Sequence, residues 1–188
     1  VEGKEGKRMA VTPTMISAPV ARKAVERYHK ELVYYREQAS DELGLRAAFQ
    51  NLLVDVARHV NWKVSPERTM EGKIRPDGVL RDEFDLRRGI WEAKGPKGNL
   101  VKEIEKKIAD GYPLTNTVFE NTERAVLYQN GKRVDEYNLT DPRGAGDLLQ
   151  RFLTYTEPDI ENFEVAVEEF KERIPELAKA LVSIIERE

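Results

Sequence analysis

Cysteine is absent from all 188 residues. That excludes a disulfide framework, a thiolate metal site and a cysteine nucleophile, and it fits a reducing compartment. Histidine is almost absent: His29 and His59 are the only two. Both fall in helical runs far in sequence from the clustered acids, so each reads as a structural or surface residue rather than a general base or a metal finger. No apolar run approaches the length that crosses a bilayer, and no signal-peptide pattern opens the chain, so the expectation is a cytoplasmic protein with no membrane partner. The chain opens on Val1, not Met, and is expected to be a fragment of a longer product. Low-complexity segments and internal repeats are also missing.

What is present is a chain of one-domain size that is 40% hydrophobic and 35% charged, the balance of a folded protein able to bury a core without staples. The net charge of −3 argues by itself against a strong nucleic-acid binder. It is unevenly spread, however. Residues 157–188 hold ten acids and four bases, a net −6, which leaves residues 1–156 at +3. The body is mildly basic and the tail acidic, and solvated faces produce such an excess as often as DNA contact does.

Residues 1–14, with Gly3, Gly6 and Pro13 among charges and no period, read as unordered. Val20, Ala24, Tyr28 and Leu32 predict a helix over 15–38. Ser40 ahead of Glu42 opens a second helix through Phe49, Leu52, Leu53, Val56 and Val60. Residues 73–80 and 86–94 read as an antiparallel pair of strands joined by a charged turn that contains Glu83 and Asp85. A helix over 99–110 follows, closed by Gly111 and Pro113. Tyr112 and Asn116 then fall in a loop. Asn130-Gly131 between 125–129 and 132–137 is the pair a type I′ hairpin requires. The order is α-α-β-β-α-β-β. Beyond it the chain reads as helical, with one cluster at Leu148, Leu149, Phe152 and Leu153. A stripe from Ile160 through Phe163, Val167, Phe170, Ile174, Leu177 and Leu181 to Ile184 steps by threes and fours and predicts two helices meeting at Pro175. The expected organisation is an unordered segment at 1–14, a core at 15–140 and a helical extension or linker at 141–188. The expected fold class is α/β, a mixed sheet with helices on both faces.

The chemistry concentrates in Ile74-Arg75-Pro76-Asp77-Gly78 and Ile90-Trp91-Glu92-Ala93-Lys94. Alternation along a strand puts Glu92 and Lys94 on one face and Ala93 on the other. A hairpin brings Asp77 alongside Glu92. Two carboxylates, with the Ala93 carbonyl as a third oxygen, suit a hard divalent cation that activates water, and a neighbouring lysine can orient that water or offset transition-state charge. The bland alternative is a proline-led turn and a surface strand that happens to carry Glu and Lys two apart. Motif logic alone leaves the two about even. Trp91 precedes Glu92 facing the other way, where core packing suits it better than base stacking. Lys102, Lys106 and Lys107 on the following helix suit either phosphates or a solvated face with Glu103 and Lys107 pairing four apart. Arg75 suits DNA or a salt bridge, and Arg87 and Arg88 in the turn are open to both readings.

At these residues the chain resembles the PD-(D/E)xK nucleases. More closely, it resembles the N-terminal nuclease domains of type ISP-like restriction–modification polypeptides that also carry an adenine-N6 methyltransferase. The likeness runs over most of 40–188 and rests on "IRPDGVL", "GIWEAKGP", "GYPLTN", "AVLYQNG" and "FEVAVEEFKERIPEL". It implies a restriction-endonuclease-like core and magnesium-dependent cleavage of double-stranded DNA, with manganese as a substitute. It also implies metal bound by Asp77 and Glu92, catalysis by Lys94, and a further acid on the first core helix, which Glu42 in "SDELGLRAAFQNLL" would supply. The candidate DNA contacts are Arg75, Lys102, Lys106 and Asn116. No methyltransferase motif occurs here, so a fused partner would lie beyond these residues. A stand-alone repair nuclease and a non-catalytic DNA-binding module on the same fold remain the other readings.

Overall fold

The computed structural model describes residues 15–38, 42–65, 74–96 and 98–157, together with eight tail positions between 166 and 182; the side chains of Glu42 and Leu43 lie outside that description. The unordered segment expected at 1–14 lies outside the described residues, and so does Ser40. Among the described residues, helices α1 (Ala18–Glu37), α2 (Glu42–Ala57), α3 (Leu100–Ala109) and α4 (Pro142–Leu153) flank six strands. The strands are β1 (Lys63–Ser65), β2 (Gly78–Arg81), β3 (Arg87–Ala93), β4 (Asn116–Glu120), β5 (Arg124–Gln129) and β6 (Lys132–Asn138). The order across the sheet is that of the sequence. Every neighbouring pair is antiparallel except β3 with β4. Parallel neighbours need a crossover, and α3 supplies it.

Each helix follows from local chemistry. Pro19 sits in the first turn of α1, where its missing N–H costs nothing, and Ala24, Val25, Tyr28 and Leu32 form the buried stripe. The Asn99 side chain caps α3 by accepting from the Lys102 N–H, and Gly111 takes the positive φ of 79° that ends it. Asn130 and Gly131 both have positive φ, 52° and 75°, as the expected type I′ turn requires.

The two faces of the sheet carry separate cores. On one, Tyr28, Phe49, Leu53, Leu149 and Phe152 from α1, α2 and α4 meet Leu80, Trp91, Val118 and Leu127. On the other, Leu100 and Ile104 of α3 meet Ile90, Phe119 and Val126, with Tyr112 beside them. One compact unit spans Thr14–Tyr155. It runs past the boundary expected at 140, because Ala145, Leu148, Leu149, Phe152 and Leu153 put α4 into the main core.

Other expectations need correcting. Residues 63–65 form β1, which had not been anticipated. Residues 116–120 form β4 rather than a loop, and all five are buried. Asn116 is therefore an interior strand residue. Its amide nitrogen donates to the Arg88 and Phe152 carbonyls at 2.8 and 2.9 Å, and its oxygen accepts from Gln129, so it cannot serve as a surface DNA contact. Arg87 and Arg88 lie in β3, not in the turn. Arg88 is buried and pairs with buried Asp82 at 2.9 Å, while Asp82 also caps the turn by accepting from the Phe84 and Leu86 N–H groups. His29 is structural, its ring 2.7 Å from the Leu139 carbonyl. In the tail the described positions on both sides of Pro175 are helical. Phe170, Ile174 and Val182 of that segment are exposed, whereas Phe163 lies outside the described residues. Among the described residues no helix is long and apolar enough to cross a membrane.

Candidate active site

Neighbouring strands carry the acids to one end of the sheet. Gly78 pairs with Trp91, which sets Asp77 level with Glu92, and Ala93 pairs with Glu120 across the parallel register. Asp77 stands just before β2 rather than at the end of a strand, because Pro76 has no N–H with which to extend the ladder. Its carboxylate compensates for that early end. Oδ2 accepts from the Ala93 N–H at 2.8 Å and so fastens the loop to the last residue of β3, while Oδ1 lies 2.7 Å from Nη1 of Arg46 on α2.

Glu92 is buried, at 8% exposure. It takes the face of Ile90, towards α3, as strand alternation dictates. The Tyr112 hydroxyl donates to Oε2 at 2.6 Å, and the Lys107 ammonium lies 2.5 Å from Oε1. Burial pushes its pKa above the ordinary glutamate value and the charge of Asp77 adds to the rise, while the bonds from Lys107 and Tyr112 oppose it. Lys94, one residue past β3, pairs with Glu103 of α3 at 3.4 Å. Gly98 makes room for that lysine: a Cβ there would stand 2.7 Å from Lys94 Cε.

Glu120 faces the other side of the sheet with Trp91 and is wholly buried. Trp91 Nε1 donates to one oxygen at 3.2 Å and the Thr122 N–H to the other at 2.6 Å. Burial raises its pKa to about 8 against those two bonds; the charge of Asp77 raises it further and Arg46 opposes. Burial thus favours the neutral acid at Glu120.

The structure thus brings together Asp77, Glu92, Ala93 and Lys94. Glu42 is the first residue of α2, and its side chain lies outside the described residues. Lys102, Lys106 and Arg75 are exposed. Trp91 packs on Phe49, as expected of a core residue. The expected pairing of Glu103 with Lys107 is replaced, since each reaches instead to a motif residue. Arg46 and Glu120 were missed, and Lys107 and Tyr112 were noticed but not as partners of Glu92. Only Tyr112 carried a local signal, an aromatic in a Gly-Tyr-Pro turn next to a helix end.

Asp77 and Glu92 offer hard carboxylate oxygens with no sulfur or imidazole among them, a donor set that fits magnesium or manganese and not zinc. Among the described residues no three or more His, Cys, Asp or Glu side chains gather as a metal group. A cation would therefore rest on these two carboxylates, backbone oxygen and water, which is the usual habit of magnesium.

No protein family matches the chain, and no curated protein does. Among solved structures, the chain is similar to one in a cryoEM structure of a DrdV–DNA complex, with a TM-score of 0.71 and 33% sequence identity over 88% of this chain. The present chain spans 17% of that chain's length. The fold is the restriction-endonuclease-like one that the resemblance implied, a mixed six-stranded sheet flanked by helices.

Proposed function

We propose that this domain is a magnesium-dependent DNA endonuclease of the PD-(D/E)xK type, the cleavage module of a type ISP-like restriction–modification polypeptide with a fused methyltransferase. The observation that carries this reading is the placement of Asp77 and Glu92 side by side at one end of the sheet, with the Asp77 carboxylate bonded to the Ala93 N–H and Lys94 next in line. The DNA in the similar structure, and the small share of that longer chain which this one spans, support the substrate and the modular role.

Asp77, Glu92 and the Ala93 carbonyl would hold the ion. A bound divalent cation supplies polarisation of a phosphate oxygen and a water of lowered pKa. The chain's own groups do the rest. Tyr112 and Lys107 fix both oxygens of Glu92, so the carboxylate is oriented before substrate arrives. Arg46 and the Ala93 N–H do the same for Asp77. Lys94, drawn from Glu103, offers an ammonium that orients the attacking water and offsets charge on the phosphorane-like transition state. Lys102, Lys106 and Arg75 are exposed and would be the cations to meet the DNA backbone.

The test compares wild type with Glu92→Ala and Lys94→Ala, using the full-length polypeptide on DNA carrying its site. Both substitutions abolish magnesium-dependent cleavage; manganese replaces magnesium in the wild type, and calcium supports binding with little cleavage. Lys94→Ala retains metal binding, because lysine contributes no ligand oxygen. Undiminished cleavage by either variant refutes the assignment and leaves the non-catalytic DNA-binding reading.

A further inference from the structure

Glu92 already has a cation. The Lys107 ammonium reaches Oε1 at 2.5 Å from the last turn of α3, and the Tyr112 hydroxyl occupies Oε2. Asp77 is matched in the same way by Arg46. Lys94 is matched by Glu103. Three acids, Asp77, Glu92 and Glu103, thus stand against three bases, Arg46, Lys107 and Lys94. Among the described residues these three pairs match one another in charge.

We propose that Lys107 is a tethered stand-in for the divalent cation: it neutralises Glu92 in the resting protein, yields that oxygen when metal binds, and then engages a phosphate of the DNA. The proposal rests on the reading of Asp77 and Glu92 as metal ligands. An ammonium held on Oε1 competes with a divalent ion for the same carboxylate, because the two cations repel across a partly desolvated gap. Lys107 is built to leave. Its side chain is 22% exposed, its charge sits on a flexible stem, and its ammonium also lies 5.2 Å from the centre of the Tyr112 ring, a second favourable resting place. Arg46 differs, since its partner Asp77 is also fastened to β3 through the Ala93 N–H. The balanced charge has a second effect. A divalent ion added alone leaves positive charge unmatched, and a phosphate supplies the match, so metal and DNA each tighten the binding of the other.

Calorimetric titration of the 188-residue protein with calcium, without DNA, tests this. Lys107→Met keeps the length of the stem and removes the charge, and it is expected to bind calcium about tenfold more tightly than wild type. The same variant cleaves DNA at least about tenfold more slowly at saturating magnesium, because a cation that met the phosphate is gone. Lys107→Arg returns both values towards wild type. Glu92→Gln serves as the control and is expected to lose calcium binding. If Glu92→Gln loses it while Lys107→Met binds calcium no better than wild type, Lys107 is a scaffold residue and this proposal fails alone. If Glu92→Gln binds calcium as wild type does, the metal-ligand reading fails as well. Should Lys107→Met lack a folding transition, the wild-type protein decides the matter: the Lys107 ammonium resonance in nitrogen-15 NMR must shift on calcium saturation, and an unmoved resonance overturns the proposal.

Discussion

Replacing Glu120 by glutamine should change how stability depends on pH, and the structure sets both the sign and the size. Glu120 is wholly buried and titrates at about 8 in the folded protein, against an ordinary value of 4.5. In the unfolded chain it loses its proton near 4.5. Between the two values the folded state holds a proton that the unfolded state has released, so stability is full below pH 4.5, falls as pH rises and levels off above 8. At about 1.4 kcal/mol per pH unit, the interval is worth roughly 5 kcal/mol. Glutamine does not titrate, but it has a cost of its own. Trp91 Nε1 and the Thr122 N–H each donate to one carboxylate oxygen, whereas glutamine offers one oxygen and one NH2, so one buried donor loses its acceptor at about 1–3 kcal/mol. Glu120→Gln should therefore be the less stable protein at pH 5 and the more stable at pH 9, with the curves crossing between about pH 5 and 7. Urea unfolding followed by Trp fluorescence in a chelator, at half-unit steps of pH, measures this directly. Parallel curves for the two proteins would mean that Glu120 is ionised in the fold throughout and that the burial argument is wrong.

Tyr112→Phe removes the hydroxyl that holds Glu92 Oε2. Cleavage should fall about tenfold or more through a misplaced carboxylate, with a stability cost near 1 kcal/mol, read by single-turnover kinetics and thermal melting. Gly98→Ala places a methyl 2.7 Å from Lys94 Cε and 2.9 Å from its Cγ, so the lysine must swing away. Its cleavage rate should drop about tenfold while its stability stays within about 0.5 kcal/mol of wild type, and an unchanged rate would separate Lys94 from the chemistry. Arg88→Met leaves Asp82 buried with only backbone donors. Its unfolding free energy should fall by about 3 kcal/mol in denaturant titration, and a loss below about 1 would show that the pair is dispensable.

Helices and turns were legible where one rule governs many residues. The spacing of Ala24, Tyr28 and Leu32 located α1, and Asn130-Gly131 located the β5–β6 hairpin. Strands β1 and β4 were not legible. β1 is three residues long, too short to display alternation. β4 is buried on both faces yet has only Val118 and Phe119 as apolar residues. Its polar members are tolerated because each has a fixed partner: Asn116 ties β3 to α4, the Thr117 hydroxyl donates to the Pro113 carbonyl, and Glu120 takes Trp91 and Thr122. Such partners come from distant parts of the chain, so the segment reads as a loop. The same cause hid the end of the core. α4 was recognised as an apolar cluster, but nothing local says that Phe152 packs within reach of Gly89, where an added Cβ would meet its ring at 2.6 Å.

At the candidate site, Asp77, Glu92 and Lys94 were legible because strand alternation and a hairpin act over a few residues. Their partners Arg46, Lys107 and Tyr112 were not, because they arrive from α2, from α3 and from the turn after it. Their existence could still have been demanded. A carboxylate as buried as Glu92 needs charge or hydrogen bonds on both oxygens. Two such acids at adjacent strand positions repel unless cations stand beside them. The motif therefore implies about as many basic or donating neighbours as it has acids, whichever elements provide them. Lysines on α3 were the natural place to look, since the helix connecting β3 to β4 must lie against β3 and the face of Glu92. A salt bridge between Glu103 and Lys107 along the helix was the cheaper local reading, worth a few tenths of a kcal/mol on an exposed face. It loses because both side chains can instead compensate charges at the end of the sheet, and at buried Glu92 a missing partner costs several times more.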